Sequence, residues 1–323
     1  MPNFVSFPAD APDTPVDHLV MNLVDPATDA GAVARLVSQS LEPQRGEAAA
    51  LFHSDPLIDY RASRPWMNFK DGRLAGIWND GIVLSHARDM EGKPFLHLHG
   101  QEPDFHWEAL CDDMMEIAER FGVRRIFSLT AIGSATPHTR PADMLVRSTA
   151  PDPEKETLQA DFWFQSSFAD FVEYHIARTD LEMTNIAVRV PMYLAGHHYS
   201  AGALGALTMM ASLSDLRLPF GDLEQDAAKQ SEEFSVLMGN NEELAHIIQD
   251  YDESGVTPGF VKAPQSEFVV PSLDEIGRAA EQFLAQMDNP GPAYSFEHPR
   301  DKDHDKENKP KRRGKHSYPR DAQ

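Results

Sequence analysis

The sequence is short of cysteine, of basic side chains and of long apolar runs, and each shortage removes a class of protein. Cys111 is the only cysteine among 323 residues, which excludes an internal disulfide and a multi-cysteine metal knuckle. Lysine and arginine number 29 against 51 aspartates and glutamates, for a formal charge of −22. Phosphate contacts need basic side chains, so the body of the chain does not read as a nucleic-acid binder. No stretch approaches the ~18 consecutive apolar residues of a membrane span. The opening MPNFVSFPADAPDTP holds no basic stretch ahead of an apolar run, so no secretory signal is expected and the cytoplasm is the expected compartment. Also missing are a G-x-G-x-x-G loop after a strand, a Walker A loop, an H-E-x-x-H helix and a G-x-S-x-G elbow. No catalytic residue, metal ligand set or cofactor is therefore assigned.

What is present is a foldable body. Hydrophobic residues make up 41% of the chain, enough for a real core. Strand and helix signals alternate, which points to α/β architecture. Residues 18–24 and 48–52 read as strands, with Thr28 or Asp29 capping a helix whose stripe is Val33, Leu36, Val37 and Leu41. Asp71-Gly72 between 66–70 and 73–78 is a two-residue hairpin signal, and the antiparallel pair implies a mixed sheet. Residues 94–99 form a strand, and Trp107, Leu110, Met114, Ile117 and Phe121 recur at helical spacing along one face. A strand over 123–132 completes a parallel crossover. Helices are expected at 166–178, 200–213, 222–251 (broken near Asn240-Asn241) and 272–288, with a strand at 185–190.

Few residues suggest chemistry. His97 and His99 share a strand face and could hold a metal with His106, but no fourth ligand follows from the spacing, and two histidines ending a strand is the plainer reading. Cys111, beside Leu110 in a helix, reads as a small packing residue. One constellation remains. In open α/β sheets ligands collect at the carboxyl ends of strands. Glu102, Asp104 and Trp107 follow one strand there, and His138, Thr139 and Arg140 follow the next strand in sequence. Were the two strands adjacent, Arg140 would pair with Glu102 or Asp104. That edge is either a loop clamp or a binding or hydrolytic pocket with His138 as base.

Several segments then resemble the proteasome assembly chaperone 2 family in its actinobacterial branch. They are Asp59-Tyr60-Arg61-Ala62-Ser63-Arg64-Pro65, Pro94-Phe95-Leu96, and Gly100-x-Glu102-Pro103-Asp104-x-x-Trp107. Others are Glu119-Arg120-Phe121-Gly122-Val123, Pro137-His138-Thr139-Arg140-Pro141 and Val190-Pro191-x-Tyr193-Leu194. The resemblance implies a three-layer α/β/α sandwich, similar to the phosphorylase/hydrolase-like fold, with a mixed, mostly parallel sheet and added C-terminal helices. It also implies a non-enzymatic assembly chaperone, because eukaryotic relatives pair with a sister subunit and escort proteasome subunits without catalysis. Two features depart from the family pattern. Asp321-Ala322-Gln323 is not the hydrophobic–Tyr–any ending such chaperones often carry, and only Asp29-Ala30-Gly31 remains of a glycine-rich first loop.

The expected organisation is an N-terminal extension at 1–16, an α/β domain at 17–255 with a helical part at 199–255, a helical segment at 256–298 and a charged tail at 299–323. The tail carries nine basic and five acidic residues from 300 onward and no aliphatic side chain larger than alanine, so it reads as disordered. Protein partners and a homo-oligomer are expected, and nucleic acid is not expected except through Lys309, Lys311, Arg312, Arg313 and Lys315. The alternative function is a small-molecule binder or hydrolase built on the loops after 95–99 and 123–132.

Overall fold

Apolar side chains at a period of two build the sheet, and those at a period of 3.6 build the helices that cover it. A computed structural model describes residues 4–9, 14–25, 27–79, 81–150, 163–239 and 242–253, all within one compact unit that spans 1–262. In chain order the strands are β1 (Val5–Ser6), β2 (His18–Val24), β3 (Arg45–Phe52), β4 (Trp66–Lys70), β5 (Arg73–Trp78), β6 (Val83–Arg88), β7 (Pro94–Gln101), β8 (Arg125–Ser134), β9 (Asp143–Ser148) and β10 (Glu182–Pro191). The helices are α1 (Val33–Leu41), α2 (Trp107–Phe121), α3 (Phe168–Ile176), α4 (Ser200–Ser214), α5 (Leu223–Gly239) and α6 (Glu242–Glu253).

Eight strands form the main sheet in the order β1-β3-β6-β7-β2-β8-β10-β9. Its centre, β7-β2-β8-β10, is parallel, and antiparallel β6 and β9 flank that centre. The sheet is thus mixed with a parallel heart, and five of the eight strands run in one direction. Alternation along β2 sends Leu19, Met21 and Leu23 to one face and Val20 to the other. The first face packs under α2 and α3, the second under α1 and α4, which makes the three-layer sandwich.

Local chemistry sets the helix boundaries. The α2 stripe of Leu110, Met114, Ile117 and Phe121 is buried as its spacing predicts. Gly122 ends the helix in the left-handed region at φ 69°, where its N–H reaches Ala118 and Glu119 carbonyls. Ser167 and Asp170 start α3 with a reciprocal capping box. The Asp29 carboxylate accepts from the N–H of Ala34 at 2.6 Å and of Arg35 at 3.3 Å, so Asp29 holds the start of α1.

Two expectations need correction. The β4–β5 hairpin forms around Asp71 and Gly72, both at positive φ as its turn requires, yet it is a separate two-stranded sheet. The main sheet is mixed instead because β1, β6 and β9 run against the other five strands; β6 joins β7 across a short connection, and the other antiparallel pairs link segments distant in sequence. Strands β6 and β9 lie outside the expected set. Ser85, His86 and Arg88 mask β6, and β9 is a short edge strand behind two prolines. The helical stretch after 199 is present as α4, α5 and α6, whereas the expected helix at 272–288 and the tail at 299–323 lie outside the described residues.

Candidate functional site

The structure divides the expected constellation. Strands β7 and β8 are parallel, but β2 runs between them, so the loops after them leave the sheet about 10 Å apart. They also serve opposite faces: Trp107 packs on the core beneath α2 and α3, whereas Tyr193, the partner of His138, packs on the core beneath α1 and α4. The expected pairing of Arg140 with Glu102 or Asp104 does not form.

After β7, the three residues brace backbone. Glu102 donates its N–H to the Val24 carbonyl at 3.0 Å, and its Oε1 accepts from the Phe168 N–H at 3.0 Å, at the entry to α3. Burial, aided by the neighbouring carboxylates of Asp25, Asp170 and Asp104, raises the Glu102 carboxyl from 4.5 to about 7. Met21, Leu23, Leu129, Thr130 and Ala169 line with it a cavity no larger than one water molecule. Asp104 accepts from the Asp59 N–H at 2.7 Å and donates its own N–H to the Leu57 carbonyl at 2.8 Å. Trp107 donates Nε1–H to the Pro103 carbonyl at 2.7 Å and sets its ring edge-on to Phe168 and Phe171.

After β8, the partners are side chains. The Tyr193 hydroxyl accepts from the His138 N–H at 2.9 Å and lies 2.8 Å from Nδ1 of the same residue. Burial holds His138 below the usual histidine range, against an opposing pull from Asp252. Thr139 donates to Asp252 Oδ2 at 3.1 Å, while Arg140 meets Asp252 Oδ1 through Nε at 2.8 Å and the Asp252 carbonyl at 2.6 Å. His138 also packs on Phe234 of α5, and Tyr251 of α6 stacks on Tyr193. This segment is a latch for α5 and α6.

Asp252 lies more than a hundred residues from Thr139, and no local spacing announces it. Tyr193 stands in the Val190-Pro191-x-Tyr193-Leu194 segment, whose spacing does not announce its contact with His138. Gly31 of the abbreviated first loop is also structural. At φ +67°, a Cβ on it would meet the Tyr199 Cβ at 2.8 Å, and the Gly31 carbonyl accepts from the Tyr199 N–H.

Other side chains singled out in the sequence have local partners. Ser134 accepts from Arg189 Nε at 3.0 Å. Burial pushes both the Tyr193 hydroxyl and the Cys111 thiol up to about 12, so neither ionises readily near neutral pH. His97 Nδ1 accepts from Arg45 Nε at 3.2 Å, His99 Nε2 meets Ser85 Oγ at 3.0 Å, and His106 stacks on Phe4 instead of joining them. Among the described residues, no three His, Cys, Asp or Glu side chains are grouped to hold a metal ion.

The most unusual surface lies elsewhere. The β4–β5 hairpin rises from the connection between β3 and β6, with Trp66, Met67, Phe69, Leu74 and Ile77 between 50% and 70% exposed. Register puts Met67 opposite Ile77 and Phe69 opposite Leu74, so these four share one face. Its base is firm: Leu57 is fully buried, and Asp104 and Phe105 hydrogen-bond the 57–59 turn. Sequence reasoning found this hairpin as a turn and missed it as a surface.

The class is therefore an α/β/α sandwich whose edge loops brace its helices and carry an apolar arm. The chain matches the PAC2 family over residues 23–238 and belongs to that family. A Mycobacterium tuberculosis protein of unknown function is 29% identical, with a TM-score of 0.72 over 79% of this chain and 91% of that one. A Corynebacterium glutamicum protein of unknown function is 25% identical, with a TM-score of 0.72 over 78% and 96%. A Mycobacterium tuberculosis proteasome-assembly chaperone homologue shares the fold at 19% identity, with a TM-score of 0.62 over 72% and 99%. No curated protein matches the chain. No helix among the described residues is long and apolar enough to cross a membrane.

Proposed function

We propose that this chain is a non-enzymatic protein-binding module that assists the assembly of another complex. The observation that carries the reading is the arm. Two strands alone are marginal in water, and four large apolar side chains on one uncovered face favour a partner surface. Covering them is worth on the order of 5 kcal/mol before the cost of association. The relative named as a proteasome-assembly chaperone homologue makes proteasome subunits the first clients to test. The charge of −22 fits partners that are proteins rather than nucleic acids, and the cytoplasm is the compartment proposed.

The pocket reading loses its support where Glu102 and His138 part to opposite faces. Affinity capture with the wild-type chain is expected to yield a stoichiometric protein partner that Phe69→Ser/Leu74→Ser does not hold. In parallel, a panel of ester, phosphoester and nucleoside substrates is expected to give no turnover above background. Activity that survives repurification and vanishes in His138→Ala would overturn the reading.

A further inference from the structure

The histidines of β7 belong to a polar cluster that the arm and the latch leave unused. Leu96 and Leu98 join the core beneath α2 and α3, so alternation turns His97 and His99 to the opposite face of the sheet. On that face Asn22 of β2 stands across from His99, and Ser85 of β6 stands across from His97. Arg45 reaches in from the start of β3. Its Nε donates to His97 Nδ1 at 3.2 Å, and its Nη2 donates to the carbonyl and to Oγ of Ser38 in α1, each at 2.7 Å. Among the described residues no carboxylate pairs with Arg45, whereas Arg124, Arg140, Arg147 and Arg189 each meet one. Asn22 and His97 are fully buried, and Asn22 Oδ1, Asn22 Nδ2 and His97 Nε2 have no hydrogen-bond partner among the described residues. Buried polar groups are rarely left so.

We infer that this cluster binds a small oxyanion, the carboxylate or phosphate group of a ligand, between Arg45, His97, His99 and Asn22. Its free groups are nearly all donors. Nδ1 of His97 accepts from Arg45, so the imidazole proton sits on Nε2 and has nothing to meet. His99 Nε2 and Ser85 Oγ lie 3.0 Å apart. Whichever tautomer His99 adopts, that pair uses one hydrogen and leaves one N–H or O–H to give. Arg45 keeps Nη1, and Asn22 keeps its amide; Asn22 Oδ1 is the one free acceptor. Burial, then the charge of Arg45, lowers His99 to about 4 and His97 well below the usual range, and no carboxylate opposes them. Both imidazoles are therefore neutral donors near pH 7, and Arg45 supplies the positive charge. The same features disfavour a metal ion, since Arg45 occupies the Nδ1 lone pair of His97 and repels a cation. An oxyanion accepts from these donors and neutralises Arg45, and such charge-assisted bonds are strongest where water is scarce. Arg45 and His99 are partly exposed and give the approach from solvent, with Asn22 and His97 behind them.

Isothermal titration of the full chain with sodium phosphate and, separately, with sodium acetate tests this. Sodium chloride holds the ionic strength constant, and circular dichroism checks that each variant folds. The wild type is expected to bind a single anion per chain, and the tighter titrant names the head group. Arg45→Met keeps the reach of the side chain without its charge and should weaken binding at least about tenfold. Asn22→Leu keeps the shape and leaves no polar atom unpaired, so it should melt no lower than the wild type in anion-free buffer. It should nevertheless lose at least about tenfold in affinity. Arg73→Glu, in the arm, should bind as the wild type does, which separates a built site from loose attraction to surface cations. Zinc chloride should show no binding that depends on His97 or His99. The absence of saturable anion binding, anion binding that survives either Arg45→Met or Asn22→Leu, or zinc binding that His97→Gln abolishes would each overturn the inference.

Discussion

Strands β4 and β8 carry comparable apolar side chains in opposite circumstances. Every residue of β4 is exposed, whereas β8 is buried from Ile126 to Ala131. The difference is not composition. Strand β8 has a neighbour on each edge and helices over both faces, while β4 has one neighbour and no cover. An apolar strand stabilises its own chain only where another layer removes it from water. The body therefore holds the stability of the molecule, and the arm holds surface available to a partner.

Substitutions at matched residue types sharpen the contrast. The largest effect is expected in the body: Phe121, fully buried, closes the α2 stripe, and Phe121→Ala should cost about 4 kcal/mol in urea unfolding. A loss under about 1 kcal/mol would show that α2 is loosely packed.

A smaller effect separates the buried edge from the exposed one. The Glu102 carboxyl is raised from 4.5 to about 7, so the folded protein holds this proton more tightly than the unfolded chain does. Its stabilising contribution is complete below pH 4.5 and is lost as pH rises through about 7. Stability should decline by roughly 3 kcal/mol across that window from this group. Glu102→Gln, which keeps an acceptor for Phe168, should flatten the decline, and parallel slopes for the two proteins would refute the assignment. Arg140→Ala removes an ion pair whose side chains are 43% and 37% exposed, so it should cost less than about 1 kcal/mol. Proteolysis within α6 should accelerate as the latch loosens.

The smallest effect is expected in the arm. Phe69→Ala should change unfolding stability by less than about 0.5 kcal/mol. A change as large as that of Phe121→Ala would mean that the arm packs on its own body.

Local patterns were legible because their causes are local. The α2 stripe, the Gly122 stop, the Asp71-Gly72 turn and the role of Asp29 at α1 all depend on residues within a few positions. The Glu102 and His138 loops were found as polar edges but joined wrongly. Sequence order placed their strands next to each other, and the crossover through α2 passes over β2 to reach β8. Asp252 was invisible as the partner of Arg140, because a pairing across 112 residues has no periodic signature.

By itself, the sequence determined the α/β class, the anionic body, the hairpin and the family resemblance, since composition, turn chemistry and ordered motifs need no third dimension. Tertiary structure alone decided strand order, the faces on which Glu102 and His138 lie, and the exposure of Phe69 beside the burial of Phe127. Those properties depend on which layers meet, and burial belongs to the pair of surfaces in contact rather than to either residue.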